Sequence, residues 1–182
     1  MRPLLRSVAR GGRPVPRRPL SRKRAVIFVT VGTTLPFDEL VEFVDGMAAR
    51  GAFDEPVVCQ IGPGTYEPRH CEFFRFKPSL DFEIEQASLV IGHGGTGTVT
   101  GLLGSGKRFI IVTNPIGAND HQAEFLARIS REYPILWTSK VEDLPALMRS
   151  EPPTPRNDRK PARLGDDLVN FLRARVAQVR QP

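Results

Sequence analysis

Cysteine, tryptophan, tyrosine and histidine are all scarce in this chain of 182 residues, which has two, one, two and three of them respectively. Two cysteines, Cys59 and Cys71, cannot build a disulfide scaffold, and they lack metal-ligand spacing with the three histidines. They read as packed, reduced thiols of a cytosolic protein. No apolar run approaches the ~20 residues needed to span a bilayer. Residues 1–24 contain no acid and no apolar centre, which excludes a secretory signal peptide there.

Those first 24 residues also account for the formal charge of +6: they hold nine of the 26 Lys and Arg, leaving 17 basic against 20 acidic residues. The remainder is mildly acidic, so no basic surface argues for a nucleic-acid partner. The Pro, Gly and Arg content of residues 1–24 predicts a disordered tail. It fits a basic tail near anionic lipid, an organellar transit peptide, or residues added by an upstream start codon. Prolines at 3, 14, 16 and 19 break a transit helix and favour an inert tail or the added residues.

From Ala25 onward, strand-like and helix-like patterns alternate. The β-branched run Ala25–Val31 reads as a strand covered on both faces. After Gly32, Thr33 and Thr34 comes a helix pattern with Phe37, Leu40, Val41, Val44 and Met47 on one side. Strands are predicted at 56–61, 72–76, 88–91, 108–113 and 135–137. Helices are predicted at 81–86, 96–104 and 119–131. Such alternation implies an α/β fold, a Rossmann-like and mostly parallel sheet over residues 25–150. In these sheets ligands bind beyond the carboxyl ends of the strands. Residues 151–163, with four prolines, read as a linker. In residues 164–182, Leu168, Leu172, Val176 and Val179 recur at helical spacing, for a helix that packs on its own sheet or is offered to a partner.

The densest chemistry lies in Ile91-Gly-His-Gly-Gly-Thr-Gly-Thr98. Glycines at a strand-to-helix turn admit a ligand to the backbone N–H groups, and a helix N-terminus favours an anion. Phosphates are the expected ligand, with His93, Thr96 and Thr98 adding side-chain donors. Gly92, Gly94 and Gly97 formally match a dinucleotide fingerprint, but the next strand ends in Asn114 where an acid is required. Gly101 to Lys107 resembles a phosphate-binding P-loop. Arg108 replaces its hydroxyl residue, however, and a strand follows it. Gly104 and Gly106 are therefore expected to end a helix, with Lys107 at its negative end.

Three segments then act together: Val29-Thr-Val-Gly-Thr-Thr34 with Phe37-Asp-Glu-Leu40, Ile91 to Thr98, and Asn119-Asp-His-Gln122. In this order, over residues 25–150, they resemble the C-terminal donor-binding domain of family 28 glycosyltransferases. The likeness is strongest to its stand-alone versions. These are the catalytic subunit of the two-part dolichol-pathway N-acetylglucosaminyltransferase and the exopolysaccharide transferase subunits of bacteria. The resemblance implies one C-terminal-type half of a GT-B enzyme, binding a UDP-sugar donor without a metal or other cofactor. It places the diphosphate at Gly94, Gly95, Thr96, Gly97 and Thr98, and faces Gly32, Thr33 and Thr34 to the cleft. It sets Asn119, Asp120, His121 and Gln122 against the sugar or its phosphate; adjacent amide, carboxylate and imidazole groups supply the donors and acceptors a sugar needs.

Many relatives carry a ribose-binding glutamate where this chain reads Thr100-Gly101, which tilts the expectation to the exopolysaccharide subgroup. The expected function is thus inverting hexosyl transfer to a lipid-linked saccharide in exopolysaccharide synthesis. The alternatives are the N-acetylglucosaminyltransferase subunit and a non-catalytic nucleotide-sugar-binding subunit. The general base is expected on a membrane-associated acceptor-binding subunit. That partner would hold this cytoplasmic chain at the membrane.

Overall fold

Val26–Thr30 forms strand β1, and its alternation decides where everything else packs. Ile27, Val29 and Val31 point to one side with Val57, Cys59, Ile61, Ile91 and Ile110, under Leu40, Val41 and Val44 of helix α1 (Asp38–Ala49). Phe28 points to the other side with Val90 and Ile111. It meets Val99 and Leu102 of α3 (Thr96–Ser105) and Phe125 and Leu126 of α4 (His121–Ile129). The result is a sheet with helices on both faces, as the alternation predicts. The remaining elements are β2 (Val57–Gln60), β3 (Glu72–Phe74), α2 (Asp81–Gln86), β4 (Ala87–His93), β5 (Phe109–Val112) and β6 (Leu136–Thr138). A 3-10 turn (Val141–Asp143) and a short α5 (Leu144–Arg149) follow. The structure is a computed structural model that describes residues 25–116 and 121–152. Outside the described residues lie the expected tail at 1–24, the helix at 164–182, the linker beyond Pro152, and Asn119 and Asp120.

All six strands are parallel, in the order β3-β2-β1-β4-β5-β6. The chain moves outward from β1 through β2 to β3, then returns to β4 on the opposite flank of β1. Loops leaving β1 and β4 therefore diverge, and a crevice opens between them at the carboxyl end of the sheet.

Some expectations change in three dimensions. β4 runs on to His93, two residues past the predicted end at Ile91, because Gly92 and His93 pair with Ile111 and Val112 of β5. The helix expected to stop at Gly104 reaches Ser105, with Gly106 at φ 67° as its C-cap. Lys107 does not serve the end of α3. Its Nζ donates to the carbonyls of Glu85 and Ala87, at the negative end of α2. The 3-10 turn and α5 were not anticipated, since Pro145 interrupts a short pattern. Arg108 secures the end of α5 through the carbonyls of Met148 and Ser150, at 2.6 and 2.8 Å.

The β2-to-β3 crossover has no helix. Residues 61–71 make a loop held down by two carboxylates of α1. Asp38 accepts from the Thr65 amide at 3.0 Å and from its hydroxyl at 2.7 Å. Asp45, buried, accepts from Tyr66 Oη at 2.9 Å and from the amides of Arg69 and His70 at 3.1 and 2.7 Å. His70, to which the sequence assigns no role, also places Nδ1 3.4 Å from Asp45. Burial alone would raise the Asp45 carboxyl; the amide and hydroxyl donors outweigh it and hold the group at about 2.

A carboxylate depressed in the folded state stabilises the protein above its unfolded pKa, and that stabilisation is lost as pH falls through the folded value. Asp45→Asn should therefore cost about 2 kcal/mol at pH 7. The gap to the parent should narrow as pH drops below about 4 towards about 2. Urea unfolding of both proteins across that range measures it; a gap independent of pH would contradict the assignment.

Candidate functional site

The crevice between the β1 and β4 loops gathers two of the three segments singled out in the sequence. Gly32, Thr33 and Thr34 leave β1, with both threonines exposed. His93 to Thr98 leave β4 and enter α3. Gly94 donates its amide to Val112 O at 3.0 Å, and Gly95 is the N-cap of α3.

Helix α3 is intrinsically weak, with Gly97, Gly101 and Gly104 each costing about 1 kcal/mol relative to alanine. Packing of Val99 and Leu102 into the core compensates. Its first backbone bond runs from Val99 N to Gly95 O at 3.0 Å, and no side chain caps it. The amides of Thr96, Gly97 and Thr98 thus precede the helical ladder, where the positive end of the helix dipole adds to their pull on an anion. A Cβ at Gly97 would meet nothing within 4 Å, so this turn is open to a ligand.

His93 lies at the base of this turn. A Cβ at Gly32 would sit 2.4 Å from its Cε1, and one at Gly95 would sit 2.3 Å from its Nε2. The imidazole therefore fills the space that two absent side chains leave, joining the β1 loop to the start of α3. Its Nδ1 lies 3.4 Å from Thr98 Oγ1. Burial lowers the imidazole below its ordinary 6.5, with the Thr30 backbone opposing. That direction favours the uncharged ring, and its packing against Gly32 and Gly95 makes it a spacer in this turn.

The third segment reaches the crevice through Gln122. Its Oε1 accepts from the Asn114 amide at 2.9 Å, and its carboxamide is where a Cβ on Gly94 would fall, 2.7 Å away. Part of its hydrogen-bonding capacity, expected for the sugar, thus secures the β5 loop. His121 is half-exposed at the start of the described α4, 3.8 Å from Glu124. Thr100, in the stretch Thr100-Gly101 where the resemblance leads to a glutamate, turns its hydroxyl back onto Thr96 O at 2.9 Å.

Two residues here were missed by the sequence reading. Gln60 is buried beside Gly32, and Asn114 donates Nδ2 to Pro36 O at 2.8 Å across the crevice. The available signal was a polar side chain ending an otherwise apolar strand. Among the described residues no group of three or more His, Cys, Asp or Glu side chains could hold a metal ion. None of the described helices is long and apolar enough to cross a membrane.

Comparison with known proteins identifies the family and agrees with the fold. The glycosyltransferase family 28 C-terminal domain matches residues 26–133. The UDP-N-acetylglucosamine transferase subunit ALG13 of Homo sapiens is 32% identical over 136 residues, and that of Mus musculus is 35% identical over the same length. The aligned part is 68% of this chain in both, but only 12% and 11% of those proteins, so the chain spans a small fraction of their length. The Yarrowia lipolytica subunit is 29% identical over 132 residues, 65% of this chain and 67% of that protein. In fold, the solution structure of ALG13 overlaps 77% of this chain and 93% of its own, at a TM-score of 0.50 and 19% identity. The spinosyn forosaminyltransferase SpnP overlaps 83% and 36%, at 0.52 and 20% identity.

The two glycines under the imidazole make distinguishable predictions. Gly95→Ala should destabilise through the clash alone, because its φ of −67° suits any residue. Adding His93→Ala should make it nearly neutral. Gly32→Ala should still cost about 1–2 kcal/mol in the His93→Ala background, because its φ is 79°. Thermal unfolding of the two double-mutant cycles measures this; equal residual costs would refute the wedge.

Proposed function

The chain belongs to glycosyltransferase family 28 through its C-terminal domain, and on that premise we propose that it is the donor-binding subunit of a UDP-N-acetylglucosamine transferase. The observation that carries this reading is the uncapped N-terminus of α3, opening on the crevice where strand order reverses. The donor's diphosphate lies against the amides of Thr96, Gly97 and Thr98, with Gly94 and Gly95 giving it room. As the sugar departs, the leaving UDP gains charge, and prealigned amides and the helix dipole stabilise that charge more than the ground state. Thr33 and Thr34 offer hydroxyls on the facing loop. Asn119, Asp120, His121 and Gln122 belong to the sugar side.

The acceptor is a lipid-linked saccharide. The named relatives are N-acetylglucosamine transferase subunits, which supports the oligosaccharide alternative over the exopolysaccharide role first expected. Their description as subunits supports a second polypeptide, and we assign to it the acceptor site and the base that deprotonates the acceptor hydroxyl. Leu35 and Ile116, both exposed, stand on the loops tied together by Asn114 and Pro36, an apolar rim suited to such a partner. Membrane association of this cytoplasmic chain would come through that partner.

Gly97→Asp tests the diphosphate placement. Its side chain enters open space, and an acid in the first turn favours the helix. Thermal stability should hold or rise while affinity for UDP-N-acetylglucosamine falls about tenfold or more, by titration calorimetry. Unchanged affinity would remove the diphosphate from this turn.

A further inference from the structure

Gln60 ends β2, is 1% exposed, and uses its whole carboxamide. Its Oε1 accepts from Thr30 Oγ1 at 2.7 Å and from Gly32 N at 3.2 Å. Its Nε2 donates to Gly32 O at 2.7 Å and to Arg75 O at 3.0 Å. Bonding both the amide and the carbonyl of one residue fixes the peptide planes on either side of it. Gly32, with its φ of 79°, is thus held in a backbone state that β1 alone does not dictate.

A stabilising core position has no need of this. Desolvating a carboxamide costs free energy that full pairing only offsets, so its net contribution to stability is small for the number of bonds it makes. What the four bonds secure is a loop at the switch point. Of the three residues that Gln60 grips, Gly32 lies under the His93 imidazole, and the backbone of Thr30 also acts on that ring. The same ring also lies against Gly95, the N-cap of α3, at Nε2. A continuous physical path therefore runs from β2 through β1 and His93 to the amides at the start of α3.

We propose that Gln60 is a positioning residue for sugar transfer, setting Thr30 and Gly32 so that His93 holds the N-terminus of α3 in register with the donor diphosphate. The proposal rests on the functional reading above. Gln60 touches no substrate. Its effect falls on how well the α3 amides match the leaving diphosphate, so it is felt more in the transition state than in donor binding.

Gln60→Glu keeps the shape and the acceptor oxygens but withdraws both N–H donors from Gly32 O and Arg75 O. Two measurements are made on the full chain. In transfer assays with its partner subunit, kcat should fall about tenfold while KM for UDP-N-acetylglucosamine changes less than about threefold. In the free chain without substrate, the His93 ring resonances, assigned by loss in His93→Ala, should shift. Thr30→Val, nearly isosteric, removes one of the four bonds and should move both readouts in the same direction by less, should the first variant not fold. A folded variant with kcat within twofold of the parent, or with unmoved His93 resonances, overturns the positioning role alone. A parent chain that transfers no sugar with its partner overturns the functional reading, and the positioning role with it.

Discussion

An imidazole packed against two glycines holds the crevice of this molecule together. Parallel strands β1 and β4 send their loops in opposite directions, so the two loops have no backbone ladder in common beyond the strand ends. His93 supplies the missing contact, lying against both Gly32 and Gly95. A side chain on either glycine would collide with the ring. Burial disfavours its charged form, which suits a spacer.

Around that contact, polar side chains at strand ends do the joining. Gln60 binds the β1 loop, Asn114 reaches from β5 to Pro36, and Gln122 ties α4 back to Asn114. Gln60 and Asn114 spend both donor and acceptor inside the protein, and Gln122 spends its acceptor there. The amides opening α3 stand apart from this, since no side chain caps them. A framework whose own polar groups are satisfied, surrounding one set left open, is preorganised for an anion, and reorganisation at the moment of reaction costs little.

The flank beyond β2 shows a different solution to the same problem. Without a crossover helix between β2 and β3, the loop 61–71 must find partners for its amides, and α1 presents Asp38 and Asp45 to them. Arg75 adds a bond to the Gly64 carbonyl at 2.6 Å, so the loop beside Gly32 is rigid although it contains three glycine or proline residues between Ile61 and Thr65. Rigidity on that side limits how far Gly32 can yield, and it ties the crevice to the outer edge of the sheet.

Much of this architecture was legible in the chain itself. The period of apolar residues sets strands and helices, because each must bury one face or stripe, and glycine at a strand-to-helix turn marks where a ligand can approach the backbone. Strand ends shifted by a residue or two, since pairing with β5 extends β4 through a glycine and a histidine that have little strand character of their own. Tertiary structure alone decided the rest. Strand order placed Gly32 against His93, although 60 residues of sequence separate them and no local pattern couples them. Gln60 read as one polar residue in an apolar strand. Only the neighbourhood of β1, and the desolvation that obliges a buried carboxamide to bond fully, made it the clamp on the β1 loop.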